Sequence, residues 1–335
     1  MQRPPWPKPP IPANLNLSAP NCRRTITTSS SRSRGIRSPV PDGLQCRMPN
    51  GPKGHAAVAD LAHDRDAVVC FESTGGQEWQ LWETLEAEGV IARQVPPAQV
   101  KAFARSRGTR AKTDRIDAEL IARFFAFRPD AGRRLPAEKL RLLRALTSKR
   151  AQIVEMRKRL LAQIRAHQKL GTAEMFDSVD TELKARLDCL IKELEARIGA
   201  AISSDALVAE TAGVLRSIPG IGPVASTMLI AEMPELGTIT GEQAAALVGL
   251  APVAHDSGTL RGKRTIAGGR RALRHVMFQA ALVAAHHNPS MKAFADRLRK
   301  AGKPHKVIIT AVARKLVNLA NALCKSRQKW TPSTA

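Results

Sequence analysis

The sequence predicts three folded parts: an α/β domain over residues 51–135, a helical arm over 136–204, and a mostly α-helical domain over 205–330. A run of apolar, partly β-branched residues that ends in an acid and two glycines, from Ala67 to Gly76, predicts the α/β domain. Apolar residues spaced by sevens predict the arm, and glycine-punctuated helical patterns predict the last domain. A chain of 335 residues is long enough for two or three domains.

The charge balance indicates a polyanionic partner. The net charge is +24 and the isoelectric point is about 10.8, and such a field attracts nucleic acid or an anionic membrane surface. No apolar run reaches the ~18 residues of a membrane span, which favours nucleic acid and predicts no membrane partner. The five cysteines are scattered without a C-x-x-C pair, so neither zinc nor a disulfide framework is indicated, and a reducing cytoplasm is predicted.

Residues 1–50 differ from the rest of the chain in composition. Proline pairs lead into a Ser, Thr and Arg tract from Arg23 to Arg34, and Asp42 is the only acid. A segment this polar cannot bury enough apolar surface to offset the entropy of ordering. We therefore expect a disordered basic tail.

Three carboxylates in the α/β domain form a candidate metal site. The predicted strand delivers Glu72 at its carboxyl end, where α/β sheets place chemistry. Asp114 and Asp117 lie three residues apart at the start of a helix predicted over 114–127, and so on one side of its first turn. Oxygen donors suit Mg²⁺, and two such ions can clamp the attacking and leaving oxygens of a phosphodiester.

Plainer alternatives stay open for each acid. A D-x-x-D pair is commonly an N-cap Asp with a solvated acid, and a Glu at a strand end is commonly a turn residue. A basic connector from Lys101 to Lys112 precedes the acids. Its cations either form structural ion pairs or guide a phosphate backbone.

The apolar spacing over residues 136–204 predicts two long helices. Leu146, Ile153 and Leu160 are one heptad apart, and apolar spacing resumes after a break at Gly171. A coiled-coil arm or dimer seam is the prediction. The Lys and Arg residues on the first helix are equally consistent with a solvated face.

A glycine-containing turn carries a helix-hairpin-helix pattern. Gly220, Ile221 and Gly222 are framed by apolar residues on both sides. Such a turn can present backbone N–H groups at a helix N-terminus to a DNA phosphate without reading sequence. A plain turn between helices is the alternative.

The candidate nucleophile is Ser257, in a polar loop that also contains Gly258. The chain has no tyrosine, so a nucleophile would be Ser, Thr, Cys or activated water. An attacking serine has to be exposed and needs cations to neutralise the developing charge, although S-G alone is more typical of a turn. The candidate DNA-binding cations near this loop are Arg261, Lys263, Arg264, Arg270, Arg271 and Arg274.

Four motifs occur in a characteristic order along the chain. They are Phe71-Glu72-Ser73-Thr74-Gly75-Gly76, Lys112-Thr113-Asp114-Arg115-Ile116-Asp117, Ile218-Pro219-Gly220-Ile221-Gly222-Pro223, and Gly249-Leu250-Ala251-Pro252 through Ser257-Gly258 to Gly268-Gly269-Arg270. Together they resemble insertion-sequence transposases with a RuvC-like DEDD domain, relatives of the Piv DNA invertase, over about residues 48–330.

The resemblance implies an RNase H-like domain in which Glu72, Asp114 and Asp117 are the second, third and fourth acids of a tetrad that binds Mg²⁺. It implies that Ser257 forms a covalent link to DNA and that the protein cuts and rejoins DNA strands. Further implied features are a C-terminal transposase domain, a homo-oligomer (dimer or tetramer) and, in some relatives, a guide RNA encoded by the element.

The chain departs from this pattern in one respect. The first acid of the family lies on an N-terminal strand of the G-I-D-V-S kind, and nothing before Glu72 looks like that strand. Asp42 lies in a Pro-Asp-Gly turn. We therefore expect a frameshifted or misassigned start, a sheet that lacks its first strand, and a chain with little catalytic activity.

Three functions stay open at this level. The first is a DNA transposase or recombinase that uses carboxylate-bound Mg²⁺ and a serine nucleophile. The second is a non-catalytic DNA- or RNA-binding remnant. The third is a Holliday-junction nuclease, in which water is the nucleophile and Ser257 is dispensable.

Overall fold

The computed structural model describes residues 24–30, 35–39, 45–73, 76–108, 114–254, 256–259 and 262–332. The chain divides into two compact units, Met1–Pro136 and Ala137–Ala335. Unit 1 is an α/β domain, and unit 2 consists mainly of helices.

Unit 1 is built on a five-stranded sheet of order β3-β2-β1-β4-β5. Its strands are β1 (Arg24–Ser30), β2 (Gly35–Pro39), β3 (Gln45–Pro49), β4 (Ala67–Glu72) and β5 (Ala92–Val95). The pairs β1–β2 and β2–β3 are antiparallel, whereas β1, β4 and β5 run parallel to one another. The strand predicted to deliver Glu72 is therefore flanked on both sides.

The expectations of a disordered tail over residues 1–50 and of a sheet without its first strand are wrong for the described part of that segment. β1 pairs with β4 from Arg24↔Ala67 to Thr28↔Phe71. Its sequence, R-T-I-T-T-S-S, is rich in β-branched residues, which favour extended backbone. Its partner is a buried strand distant in sequence, so composition alone does not reveal the pairing. Asp42 lies outside the described residues.

Helices cover both faces of the sheet and bury β4 between them. The helices of unit 1 are α1 (Pro52–Asp64), α2 (Trp79–Ala87), α3 (Pro97–Ser106) and α4 (Asp114–Phe127). Val69 and Phe71 pack with α1 and α2, whereas Val68 and Cys70 pack with the apolar residues of α4. Successive strand residues point to opposite faces. Glu72 is two residues beyond Cys70 and four beyond Val68, so it shares their face of the sheet, the one that α4 covers.

The segment expected to be a basic connector is partly helical. α3 begins at Pro97, whose fixed φ suits the first position of a helix. Val100 and Phe103 of α3 join the apolar cluster beneath α4, and the Phe103 and Phe124 rings lie 5.8 Å apart. The basic segment is thus anchored to α4 by apolar contacts.

A single apolar core runs through unit 2. Its described helices are α5 (Glu138–Leu170), α6 (Asp177–Ser203), α7 (Ala206–Arg216), α8 (Pro223–Glu232), α9 (Gly241–Val248), α10 (Arg271–His287), α11 (Pro289–Lys300) and α12 (His305–Ser326). A short hairpin of β6 (Pro252–Val253) and β7 (Thr265–Ile266) separates α9 from α10. Leu143 of α5 and Ile198 of α6 belong to the same cluster as Leu229 and Leu316. The arm predicted over 136–204 therefore shares its core with the helices that follow.

α5 and α6 form an antiparallel pair within the chain. Leu146, Ile153 and Leu160 of α5 are buried, as their heptad spacing predicts. Two ion pairs link the helices in opposite chain order: Arg150–Glu195 at 2.5 Å and Arg157–Asp188. The heptad stripe is thus buried inside one chain.

One described helix, α12, is long and apolar enough by length and composition to be a candidate membrane span, although Arg314 and Lys315 interrupt its apolar residues. Its buried residues, Ile308, Val312 and Leu316 among them, belong to the core of unit 2. α6 and α7 pass the same test only as a pair, and the chain bends by 115° between them. Burial of one face of α12 in the core is typical of a helix inside a folded domain.

We expect Ile153→Ala to destabilise unit 2 by about 2–4 kcal/mol, because it removes a buried side chain of the α5–α6 contact. Met156→Ala, at a position of α5 that is 55% exposed, is the matched control and should change the free energy of unfolding by less than about 0.5 kcal/mol. Urea unfolding followed by circular dichroism measures both. Equal effects would contradict this packing of α5.

Candidate functional site

The carboxylates of unit 1 lie where β4 ends and α4 begins. Glu72 is the last residue of β4 and is half-buried. Asp117 of α4 is also half-buried and precedes Leu120 and Ile121, which pack toward the sheet. Residues three and four apart share one side of a helix, so Asp117 continues that side by one turn. Glu72 and Asp117 therefore belong to one face of the sheet; the Asp114 side chain lies outside the described residues.

The donor set at this position fits a hard cation. Carboxylate oxygens are the ligands that Mg²⁺ prefers. Cys70 has the same parity on β4, but burial raises the pKa of its thiol against a weaker opposing effect of Arg93. Burial of Cys70 thus favours the neutral thiol over the thiolate. Among the described side chains, no three His, Cys, Asp or Glu residues are grouped to hold a metal; a set of three acids would require Asp114.

The neighbouring strand supplies no acid. Thr27 and Thr28 of β1 lie opposite Cys70 and Phe71, on the part of β4 that leads to Glu72. The seven residues of β1 include neither Asp nor Glu. The first strand of the sheet is therefore present, and what it lacks is a carboxylate.

A buried polar network holds the chain shortly after Glu72. Glu78 accepts hydrogen bonds from the Gly76 backbone N–H at 3.0 Å and from the Gln94 side-chain amide at 2.9 Å. Arg133 donates to the Gln94 side-chain oxygen at 2.6 Å. A buried carboxylate needs such partners, and here they fix the end of the loop that follows β4. Sequence reasoning missed these three side chains, because their partners lie 16 and 39 residues apart in the chain.

The turn between α7 and α8 contains one packed and one exposed glycine. Gly220 has a φ of +105°, and a Cβ on it would lie 2.5 Å from the Ala284 Cβ on α10. Ile221 is buried, and its N–H already donates to the Ile218 carbonyl. Gly222 is exposed and is the N-cap of α8. Of the three residues predicted to bind DNA, only Gly222 therefore lies at an exposed helix N-terminus, where backbone N–H groups lack partners within the helix.

Two glycine motifs of unit 2 meet back to back. A Cβ on Gly269 would lie 2.2 Å from the Gly249 nitrogen, and a Cβ on Gly249 would lie 2.3 Å from the Gly268 oxygen. Gly249 and Gly269 both have positive φ, +79° and +70°, a region that favours glycine. Arg274 donates to the carbonyls of Gly249 and Gly268. These contacts close the base of the β6–β7 hairpin.

The three arginines at the start of α10 differ in their surroundings. Arg270 donates to both carboxylate oxygens of Glu235, at 2.7 and 2.9 Å, and its N–H donates to the Leu247 carbonyl at 2.9 Å. Arg274 bridges the glycine carbonyls, whereas Arg271 is exposed. Two of the three cations predicted to bind DNA thus bind acceptors within unit 2. Glu235, Leu247 and Gly249 lie 23 to 35 residues away in the chain, so helical spacing did not reveal these acceptors.

Ser257 lies in the exposed tip of the β6–β7 hairpin. Asp256 and Arg264 form an ion pair at 2.8 Å that ties the two sides of the tip together. Lys263 is exposed, and Arg261 lies outside the described residues. The structure therefore presents the serine on a loop with a braced base and an exposed cation. Ser257 belongs to unit 2, whereas the candidate metal ligands belong to unit 1.

Known proteins match parts of both units. A family model of the IS110 DEDD type, described as "Transposase", matches residues 43–170, and one described as "Transposase IS116/IS110/IS902 family" matches residues 212–296. The first match begins after β2 and implies an RNase H-like fold for the domain.

Two relatives illustrate the similarity. The chain is 29% identical over 271 residues to the pilin gene-inverting protein of Moraxella bovis, covering 78% of this chain and 81% of that protein. It is 31% identical over 160 residues to the insertion element IS900 uncharacterized 42 kDa protein of Mycobacterium paratuberculosis, covering 45% of this chain and 39% of that protein.

The ion pair of Glu235 with Arg270 makes the stability of unit 2 depend on pH. Burial opposes ionisation of Glu235, but the hydrogen bonds and charge of Arg270 outweigh it and hold the pKa of this carboxyl below its usual value. A carboxyl with a lower pKa in the folded chain contributes stability above its ordinary pKa. This contribution is lost as the pH falls through the folded-state pKa.

We expect Glu235→Gln to lower the free energy of unfolding by about 1 kcal/mol at neutral pH. The difference from the natural chain should shrink below about pH 4, the ordinary range of the Glu pKa. Urea unfolding across the acidic range measures this, with Glu210→Gln on the exposed side of α7 as the control. A difference that stays constant with pH would contradict the role given to the pair.

Proposed function

Because this chain carries transposase domains of the IS116/IS110/IS902 family, we propose that it is a DNA recombinase of an insertion sequence, built to cut and rejoin DNA strands. The observation that carries the proposal is the placement of Glu72 and Asp117 on one face of the sheet, at the carboxyl end of β4. Carboxylates in such a position suit divalent cations that act on phosphodiesters.

The acids have a binding role in this proposal. Glu72, Asp114 and Asp117 hold Mg²⁺, which supplies Lewis-acid stabilisation of the charge that develops on the scissile phosphate. The apolar side of α4 fixes the direction of Asp117 against the sheet. Glu78 and its partners fix the chain after Glu72, as residues around a metal site commonly fix its ligands.

Ser257 is the proposed nucleophile. Its Oγ attacks the phosphorus, an O–P bond to serine forms, and the bond from phosphorus to a deoxyribose oxygen breaks. The serine proton leaves, and the released deoxyribose hydroxyl gains one. Attack by a hydroxyl of another strand reverses the step and rejoins the DNA. Lys263, Arg261 and Arg264 supply positive charge near the loop.

The exposed start of α8 is a proposed phosphate contact of the helix-hairpin-helix type. Its N–H groups beyond Gly222 suit a DNA phosphate and carry no sequence preference. Arg271 remains a proposed DNA contact, whereas Arg270 and Arg274 act by bracing the hairpin. A homo-oligomer and an element-encoded guide RNA complete the proposed set of partners.

One observation favours a second candidate function. β1 provides no carboxylate, so the acid set is one short of the four that the family resemblance implies. A non-catalytic nucleic-acid-binding protein would keep the charge of +24 without cleaving DNA. A Holliday-junction nuclease, by contrast, would use water and would not need Ser257.

We expect the natural chain to show little Mg²⁺-dependent strand exchange and an aspartate on β1 to raise it about tenfold or more. Thr27 lies opposite Cys70, and Ser29 is the next position of the same parity. Thr27→Asp and Ser29→Asp are the test variants. Thr28→Asp adds the same charge at a position that alternates to the other face of the sheet, and it is the control.

A plasmid that carries the gene with its flanking DNA serves as substrate, and recombinant junctions are counted with Mg²⁺ and with EDTA. Robust exchange by the natural chain would refute its expected inactivity. Equal activity of all three variants would refute the position assigned to the missing acid.

In the most active of these backgrounds, we expect Ser257→Ala to reduce the covalent protein–DNA adduct by at least about a hundredfold. Thr259→Ala, in the same exposed tip, should keep it. Denaturing gel electrophoresis of labelled DNA detects the adduct. An adduct formed by Ser257→Ala would overturn the assignment, and cleavage without any adduct would favour the nuclease.

A further inference from the structure

Positive charge in unit 2 is concentrated near its C-terminal end. Residues 137–260 contain fifteen Lys or Arg and fifteen Asp or Glu. Residues 261–335 contain seventeen Lys or Arg but only one acid, Asp296. The first segment can neutralise its charges internally, but the second cannot. Glu235 and Asp256 of the first segment pair with Arg270 and Arg264, but α11 and α12 carry a large excess of positive charge, which attracts polyanions.

Two of these cations are ordered on one aromatic ring. The Arg297 guanidinium lies 5.3 Å from the centroid of the Phe294 ring, and Lys315 Nζ lies 4.8 Å from it. Arg297 and Phe294 belong to α11 and Lys315 to α12, so the ring marks the seam between these helices. A cation–π contact holds a long side chain in place without neutralising its charge. The two cations repel each other, and a bound anion would relieve that repulsion.

Positive charge continues beyond α11. Lys300 lies one turn after Arg297 on the same side of α11, and Lys303 follows in the next loop; both are exposed. We call Arg297, Lys300, Lys303 and Lys315 the seam cations. Within the described chain, none of the four forms an ion pair with an acid.

The single acid of this segment does not neutralise the seam. Asp296 pairs with Arg299, which lies two residues from Arg297 and so points to another side of α11. Cations in the last turn of α11 also complement the helix dipole, which accounts for the presence of Arg297, Arg299 and Lys300. The dipole does not account for Lys315 on α12 or for Lys303 beyond the helix.

We propose that the seam cations form a contact surface for the backbone phosphates of duplex DNA. The choice of DNA as partner rests on the proposed recombinase function. Exposed cations that form no ion pair, two of them held on one ring, suit backbone phosphates. Such contacts add affinity and fix position without reading sequence. The surface uses residues different from those at the start of α8 and in the β6–β7 hairpin.

The test compares two double variants of the full chain that lose the same charge. Arg297→Gln with Lys315→Gln removes the cations on Phe294. Lys149→Gln with Lys169→Gln removes two exposed lysines of α5 and is the matched control. Binding to a blunt DNA duplex is measured by fluorescence anisotropy over a range of salt concentrations, after circular dichroism has verified folding.

We expect the seam variant to reduce the slope of log K against log salt by about 1.8, because each phosphate contact contributes about 0.9. The control variant should keep the slope of the natural chain. The swap Arg297→Lys with Lys315→Arg keeps both charges and should keep most of the slope.

Equal slopes for the two double variants would overturn the proposal, because net charge alone would then explain binding. A loss confined to an RNA duplex of the same length would overturn the choice of DNA. The readout requires no catalysis. Seam-dependent binding by a chain whose most active β1 aspartate variant forms no covalent adduct would support this surface and refute the recombinase. Formation of the covalent adduct, together with a salt slope that the seam variant leaves unchanged, would support the recombinase and refute this surface.

Discussion

The back-to-back packing of Gly249 and Gly269 is the constraint on which the candidate site of unit 2 depends. The two backbones approach so closely that a Cβ on either residue would collide with the other segment. Arg274 then binds carbonyls on both sides of the contact, which fixes the base of the β6–β7 hairpin. Ser257 can be exposed at the tip because this base is closed. The exposed Ser257 thus lies on a hairpin whose base contains one of the tightest backbone contacts in unit 2.

In unit 1, too, a tightly packed segment carries a candidate functional side chain at its end. β4 is buried on both faces and carries a carboxylate at its last residue, where the apolar cover ends. The chain after Glu72 is held by the buried Glu78 and its partners. β1 completes the sheet beside β4 but brings no acid. The fold of this domain and its proposed chemistry are therefore separable: a ladder needs only backbone groups, whereas a metal site needs particular side chains.

Several acidic residues of unit 2 form ion pairs that join separate elements. They pair with arginines between α5 and α6, and Glu235 pairs with Arg270 beside the hairpin. Their scarcity after residue 260 leaves α11 and α12 with cations that no acid opposes. Arginines therefore occur in two settings: Arg270 and Arg274 bind a carboxylate or carbonyls within the fold, whereas Arg297 lies on the Phe294 ring and keeps its charge.

The sequence by itself determined the elements with strong local signals. The helix of Asp114 and Asp117 over 114–127, the heptad stripe of α5 and the strand that ends at Glu72 all follow from the periodicity of their own residues. Only the tertiary structure decided that a Thr- and Ser-rich segment pairs as β1, that Gly220 packs against α10, and that Arg270 and Arg274 bind internal acceptors. The physical reason is that ladder hydrogen bonds, close backbone approaches and ion-pair partners come from segments far apart in the chain, so no local pattern reports them.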